Sequence, residues 1–226
     1  MNTPLQERNI PEKALGAKRG PKITLPSAAD VFLNVPYDED FVNLFLAYVA
    51  GLSTLRLTPH ATLEIPGGER RLDRIFNLLR TCSTSIHDLS RVELDSRRPI
   101  TPRMNMPFEL GLAVAWEKLE SGQHTWHVFE TKQRRAEKSL SDLGGTDVYV
   151  HGGKPPGIFR ELCSAFVRAQ HQPTVEEMNI VYQILKKALP KLMQNAGSQT
   201  VFQARVFSDL CTLGRASSEQ LSPAGL

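Results

Sequence analysis

Two carboxylates stand where a parallel α/β sheet would gather them. Asp88 closes the run Ile86-His87-Asp88-Leu89-Ser90, and Glu109 lies in Asn105-Met106-Pro107-Phe108-Glu109-Leu110-Gly111-Leu112-Ala113, which opens a helix. In an open parallel sheet, strand carboxyl ends and the amino ends of the following helices share one edge, and ligands bind there. Glu109, read as a first-turn residue, is favoured in its ionised form by the helix dipole. An oriented carboxylate can stabilise an oxocarbenium-like transition state or attack it; the same acid can also do no more than stabilise a helix start. Asp88 can accept hydrogen bonds from a ribose, or serve as a turn residue. Asn34 offers an amide beside Pro36, Tyr37 and Asp38, and Tyr37 offers a ring for a base to stack on; turn chemistry explains the same cluster. Asn105 suits an N-cap, a ligand contact or both.

Other chemistries lack their residues. The six histidines show no metal-ligand spacing with cysteines or acids, so no metal is expected. Neither G-x-G-x-x-G nor G-x-x-x-x-G-K-[ST] occurs, which removes the usual dinucleotide and triphosphate loops. There is no G-x-S-x-G elbow either, against an α/β-hydrolase. The cysteines, Cys82, Cys163 and Cys211, are sparse and odd in number, which suits a reducing compartment.

The elements that must position the acids follow from periodicity. Val31 to Val35 is a β-type run stopped by Pro36. Tyr37 to Leu52 reads as a helix with Asp38, Glu39 and Asp40 in its first turn and Phe41, Leu44, Phe45, Tyr48, Val49 and Leu52 on its core face. A second strand is expected between Leu55 and Glu64, a break at Pro66-Gly67-Gly68, and a helix from Arg70 to Leu79. A third strand covers about Thr84 to Asp88, and a long charged loop runs from Ser90 to Met104. The next helix is expected from Pro107, a residue suited to the first helical position, to Leu119. A strand around His127–Phe129, a polar helix or loop over Lys132–Asp142, a strand at Asp147–Val150 and a helix over Ile158–Ala169 complete five strand–helix alternations. That order implies a parallel sheet with helices on both faces.

After Gln172 the alternation stops. Thr174 and Glu177 form a capping-box pattern ahead of a helix whose face is Met178, Val181, Tyr182, Leu185, Leu189 and Leu192. Pro190 is expected to kink or end it, and a last helix to span about Thr200–Leu213. Two helices cannot hold a core alone, so they pack on the main domain or on a partner. The chain therefore divides into a disordered or loosely packed arm (1–28), an α/β domain (29–170) and a C-terminal helical extension (173–226).

Charge and hydropathy narrow the partners. Five basic and two acidic residues within the first 29 account for the whole net charge of +3, leaving the body neutral. A broad nucleic-acid face is not implied. The local clusters Arg97, Arg98 and Arg103, and Lys132, Arg134 and Arg135, read as solvated surface or as phosphate contacts. No run is long and apolar enough for a membrane span, and Met1 to Ile10 carries no secretion pattern, so a cytoplasmic location is expected.

The combination Asp30-Val31-Phe32-Leu33, Ile86-His87-Asp88-Leu89-Ser90 and Asn105 through Leu112 resembles bacterial TIR-like domains, and is similar to the related nucleoside 2-deoxyribosyltransferase-like group. The resemblance covers roughly residues 29–168. It implies a flavodoxin-like five-stranded parallel sheet and cleavage of an N-glycosidic bond, most often nicotinamide from ribose in NAD. It places the catalytic glutamate at Glu109, pocket residues at Asn34, Pro36, Tyr37 and Asp38, and the acid after the third strand at Asp88, with Ser90 beside it. NAD is then substrate, with no tightly bound cofactor. Where the deoxyribosyltransferases carry further acids, this chain has Arg103 and Met106, which weakens base exchange as a reading. Three functions are expected: NAD cleavage, as by an effector in bacterial defence; nucleotide sensing without turnover; and a TIR-type interaction module in which the C-terminal helices pair protomers.

Overall fold

The computed structural model describes residues 27–64, 68, 70–93, 100–120 and 123–221. The remaining residues, which include most of the expected arm, Pro66, Gly67, Arg97 and Arg98, lie outside the described residues. The elements are β1 (Ser27–Asn34), a 3-10 turn (Glu39–Phe41), α1 (Val42–Thr54), β2 (Thr58–His60), α2 (Arg71–Thr81), β3 (Cys82–Asp88), α3 (Asn105–Leu119), β4 (Thr125–Glu130), α4 (Arg135–Ser139), a 3-10 turn (Ser141–Leu143), β5 (Val148–Val150), α5 (Pro155–Ala165), α6 (Val175–Ala196) and α7 (Ala204–Leu221). All strand pairs are parallel and the order is β2-β1-β3-β4-β5, a flavodoxin-like layout.

Side chains alternate across the sheet and sort its two faces. Val31, Leu33, Ile86 and Phe129 point into the larger core, against α1 and α5. Phe32 points the other way, to Ile75 and Leu79 of α2 and Ala113 of α3. The core residues Leu89, Val128, Met106 and Leu110 continue that second layer under α3.

Helix α1 is buried without interruption from Leu44 to Thr54, rather than along the single stripe its spacing suggested. The sheet covers one side, and α5, α6 and α7 cover the other. A helix enclosed on all sides must be apolar all round. At Gly51 a Cβ would overlap the Leu162 side chain, so glycine permits the close approach of α1 and α5. The Met178, Val181 and Leu185 face of α6, with Val206, Phe207 and Leu210 of α7, is buried in the same core. Each large apolar side chain so buried contributes roughly 1.5–3 kcal/mol. That face of the C-terminal helices is therefore spent on the α/β body.

Several boundaries differ from expectation. The acidic run Glu39–Phe41 forms a 3-10 turn, and α1 begins only at Val42. β2 is three residues long. Pro107 is the third residue of α3, Asn105 the first, and Met104 caps the helix without a side-chain bond. The first turn of any helix leaves its N–H groups unpaired, so proline fits several positions there. Glu109 is consequently the fifth residue, beyond the first turn, and the dipole argument for its charge does not apply. The capping box of α6 forms as read: Glu177 N–H donates to Thr174 Oγ1 at 3.1 Å, and Thr174 N–H to Glu177 Oε2 at 2.7 Å. Pro190 does not end α6, which continues to Ala196. Pro190 and Lys186 both face solvent, where water can satisfy the carbonyl that proline leaves unbonded.

Candidate active site

At the carboxyl edge of the sheet, the end of β1, the start of α2 and the start of α3 enclose a cleft of about 390 Å³, within the usual size range of ligand pockets. Pro36, Tyr37, Asp38 and Asn105 line it, together with Arg71, Arg91 and Arg103. Glu109 lies one helical turn beyond Asn105, behind Arg71. Its side chain is 3% exposed. Arg71 donates from Nε and Nη2 to the same oxygen, Oε1, at 3.2 and 3.1 Å. Oε2 is buried and has no hydrogen-bond partner among the described residues.

That geometry sets the acid's proton affinity. Burial pushes the Glu109 carboxyl above its ordinary value, against the opposing pull of Arg71 and, more weakly, the Asn34 amide. A carboxylate desolvated and half-partnered costs stability unless something uses it.

Asp38 bridges two guanidinium groups. Arg91 donates from Nε and Nη2 to its two oxygens, each at 3.1 Å, and Arg103 donates from Nη1 at 2.9 Å. Arg91 also reaches Asp40 at 2.9 Å. Three arginines on one small cleft form planar donor arrays suited to phosphate. Tyr37 is occupied by protein contacts: its ring lies 5.4 Å from Phe202 and 6.4 Å, edge-on, from Phe45, and its hydroxyl is 3.3 Å from Thr62 Oγ1. Burial pushes that phenol up to about 12. Asn34 is buried at the tip of β1, opposite His87 in register, with Nδ2 2.9 Å from His87 Nδ1.

Asp88 is placed differently. Its side chain is fully buried on the α1 face of the sheet, whereas Glu109 comes from α3 on the other face. Tyr48 of α1 donates to Asp88 Oδ2 at 2.7 Å, the Ser90 N–H donates to Oδ1 at 2.8 Å, and His151 Nε2 lies 3.2 Å from Oδ2. Ser90 Oγ is 3.1 Å from the same His151 nitrogen. Serine, histidine and aspartate thus meet without forming a hydrolase triad. A triad needs serine and aspartate on opposite ring nitrogens, and here His151 Nδ1 accepts the Gly153 N–H at 3.1 Å. At Gly157 a Cβ would collide with the His151 carbonyl, so α5 starts tight against this tie. Ser90 also borders a second cavity of about 210 Å³, shared with Arg91, Lys132 and Arg135. Both of the last two pair with Glu93, and Arg135 also with Glu130.

The structure brings Asn34, Pro36, Tyr37, Asp38, Asn105 and Glu109 to one corner and sets Asp88 and Ser90 apart from it. Arg71 and Arg91 were missed. The signal for Arg71 was available, because the amino end of α2 must also reach the carboxyl edge. A larger groove of about 540 Å³, near Ala28, Arg56 and His171, lies at the opposite edge of the sheet. Among the described residues no cluster of histidine, cysteine and acids could hold a metal ion, and no helix is long and apolar enough to cross a membrane. Comparison with family models, with curated proteins and with solved structures finds no match to this chain.

Proposed function

We propose that the chain cleaves the N-glycosidic bond of a phosphate-bearing nucleotide, with NAD as substrate and nicotinamide as the group released, in the manner the TIR-like resemblance implies. The observation that supports this reading is Glu109, with one oxygen held by Arg71 and the other buried without a partner beside the cleft. Nicotinamide leaves a cationic nucleotide as a neutral molecule, and the ribose carbon gains positive charge as the bond breaks. A carboxylate facing that carbon stabilises the charge, and water completes the exchange. A cationic nicotinamide entering the cleft opposes the effect of burial and favours the ionised acid. Arg91 and Arg103 supply donors for the phosphates. Deoxynucleoside exchange fits less well, since Arg103 and Met106 stand where the deoxyribosyltransferases carry further acids.

The test is release of nicotinamide from NAD by the purified chain, followed by chromatography, for wild type and Glu109→Gln. Turnover by wild type, and its loss by a factor of roughly 100 or more in a folded Glu109→Gln, is expected for removal of the main charge-stabilising group. Release that survives in Glu109→Gln refutes the assignment. Saturable nucleotide binding with no turnover favours the sensor instead.

A further inference from the structure

Behind Asn34 runs a chain of buried hydrogen bonds that none of the site's chemistry has used. His124 Nδ1 lies 3.0 Å from the Cys82 carbonyl, and His124 Nε2 lies 2.8 Å from Ser85 Oγ. Ser85 Oγ is 2.9 Å from His87 Nε2, and His87 Nδ1 is 2.9 Å from Asn34 Nδ2. Ser85 and His87 are two apart on β3, on the face toward α2 and α3, and Asn34 pairs with His87 across the strands. Every member is buried.

The direction of each bond follows from one fixed end. A carbonyl only accepts, so His124 carries its proton on Nδ1. A neutral His124 then accepts at Nε2, and the Ser85 hydroxyl must donate to it. That hydroxyl has a single proton, so toward His87 it accepts, and His87 carries its proton on Nε2. Nδ1 of His87 is left as an acceptor, and Asn34 must present its amide nitrogen, not its oxygen. Burial keeps both rings neutral: in His124 it outweighs the opposing pull of the Cys82 carbonyl and Glu117, and it pulls His87 down to about 3.

We propose that this relay, anchored at the Cys82 carbonyl, fixes the flip of the Asn34 amide at the carboxyl edge and makes Ser85, His87 and His124 positioning residues for the site. Asn34 so held keeps its amide nitrogen on His87, and its amide favours the charged form of Glu109, more weakly than Arg71 does. The reverse flip would set two acceptors, the amide oxygen and His87 Nδ1, against each other. The bearing on Glu109 rests on the glycosidase reading; the directions of the bonds do not.

The experiment is long-range proton–nitrogen NMR of the full chain labelled with 15N-histidine, which distinguishes the two neutral tautomers. In wild type His87 is expected as the Nε2–H form and His124 as the Nδ1–H form, each alone. Ser85→Ala cuts the relay, so a second His87 tautomer appears while His124 keeps its own. Ser85→Thr retains the hydroxyl and the wild-type tautomers. In Ser85→Ala, kcat for nicotinamide release is expected to fall roughly 3- to 10-fold with KM retained, the loss of one oriented hydrogen bond. A proton on His87 Nδ1 or on His124 Nε2 in wild type overturns the proposal without need of any variant. So does a single unchanged His87 tautomer in folded Ser85→Ala. The expected tautomers in a protein that releases no nicotinamide would sink the glycosidase reading and leave the relay standing.

Discussion

Glu109 is expected to cost the protein stability, and Glu109→Gln to recover it. Oε2 is buried without a partner, a deficit worth about 1–3 kcal/mol. Gln keeps the shape and an acceptor for Arg71 and removes the charge; its amide N–H is left unpartnered in turn, at a smaller cost than a bare buried carboxylate oxygen. The loss on the other side is small: the Arg71 side chain is 51% exposed, and a pair so screened by water returns at most about 1 kcal/mol. The balance is a gain of about 1 kcal/mol near neutral pH, or a rise of about 2–4 °C in Tm for a chain of this size. The pH dependence follows from linkage. Burial raises the folded carboxyl above its unfolded value, so the folded state binds more protons in that window. Wild-type stability therefore falls as pH rises from the ordinary glutamate range through the raised folded value. Gln does not titrate, so the gap between the two proteins closes below about pH 4. Urea unfolding of both proteins across that range, with a common slope, measures the gap directly. A Glu109→Gln protein that is less stable than wild type by 1 kcal/mol or more, equally at all pH, refutes the reasoning and makes Glu109 a structural anchor.

Two further substitutions separate the site from its scaffold. Arg71→Leu removes the cation that opposes burial, so the proton affinity of Glu109 rises further, and the acid limb of the kcat/KM profile for nicotinamide release should move to higher pH; an unmoved limb would show that Arg71 does not act on the reacting acid. Asp88→Asn disturbs the bonds from Tyr48, Ser90 and His151 and should lower stability by about 1–3 kcal/mol in urea unfolding, with KM for NAD unchanged; a raised KM at unchanged stability would return Asp88 to the ligand site.

The fold was legible because strand and helix periods alternate cleanly, and because each of the five parallel strands is followed by a segment that can cover the sheet. Faces were less legible. Asp88 and Glu109 share the carboxyl edge, as the sequence suggested, yet strand alternation turns Asp88 toward Tyr48 of α1 while α3 carries Glu109 over the opposite face. Spacing within β3 gives the alternation, but which parity faces which layer depends on register with β1. The run Asp38-Glu39-Asp40 looked like a helix start, but Asp38 is drawn to Arg91 and Arg103, and the α-helix begins after it. Those partners come from a loop more than fifty residues away, and no local pattern encodes that contact. The spacing of the histidines speaks only to metal binding, and their use as neutral donors and acceptors depends on strands lying side by side.

The two carboxylates nearest the cleft are both held by arginine, and that shared arrangement bears on how a ligand enters. Arg71 stands between Glu109 and the cleft with two donors on one carboxylate oxygen, and Asp38 occupies the donors of Arg91 and Arg103 that a phosphate would use. Neither pair is a strong barrier. Arg71 is half exposed, and Arg91 and Arg103 are each about one-third exposed. Such pairs are worth roughly 0–1 kcal/mol, less than charge-assisted bonds to a phosphate, at about 1.5–3 kcal/mol. A nucleotide whose phosphates compete with Asp38 therefore gains more from the arginines than the chain loses. In the proposed reaction Arg71 on Oε1 keeps the acid charged, and a ribose must displace the atoms that bury Oε2 to meet it. On that reading the asymmetry of Glu109, one oxygen doubly held and one left bare, leaves a single oxygen for the ligand while the arginine keeps the other.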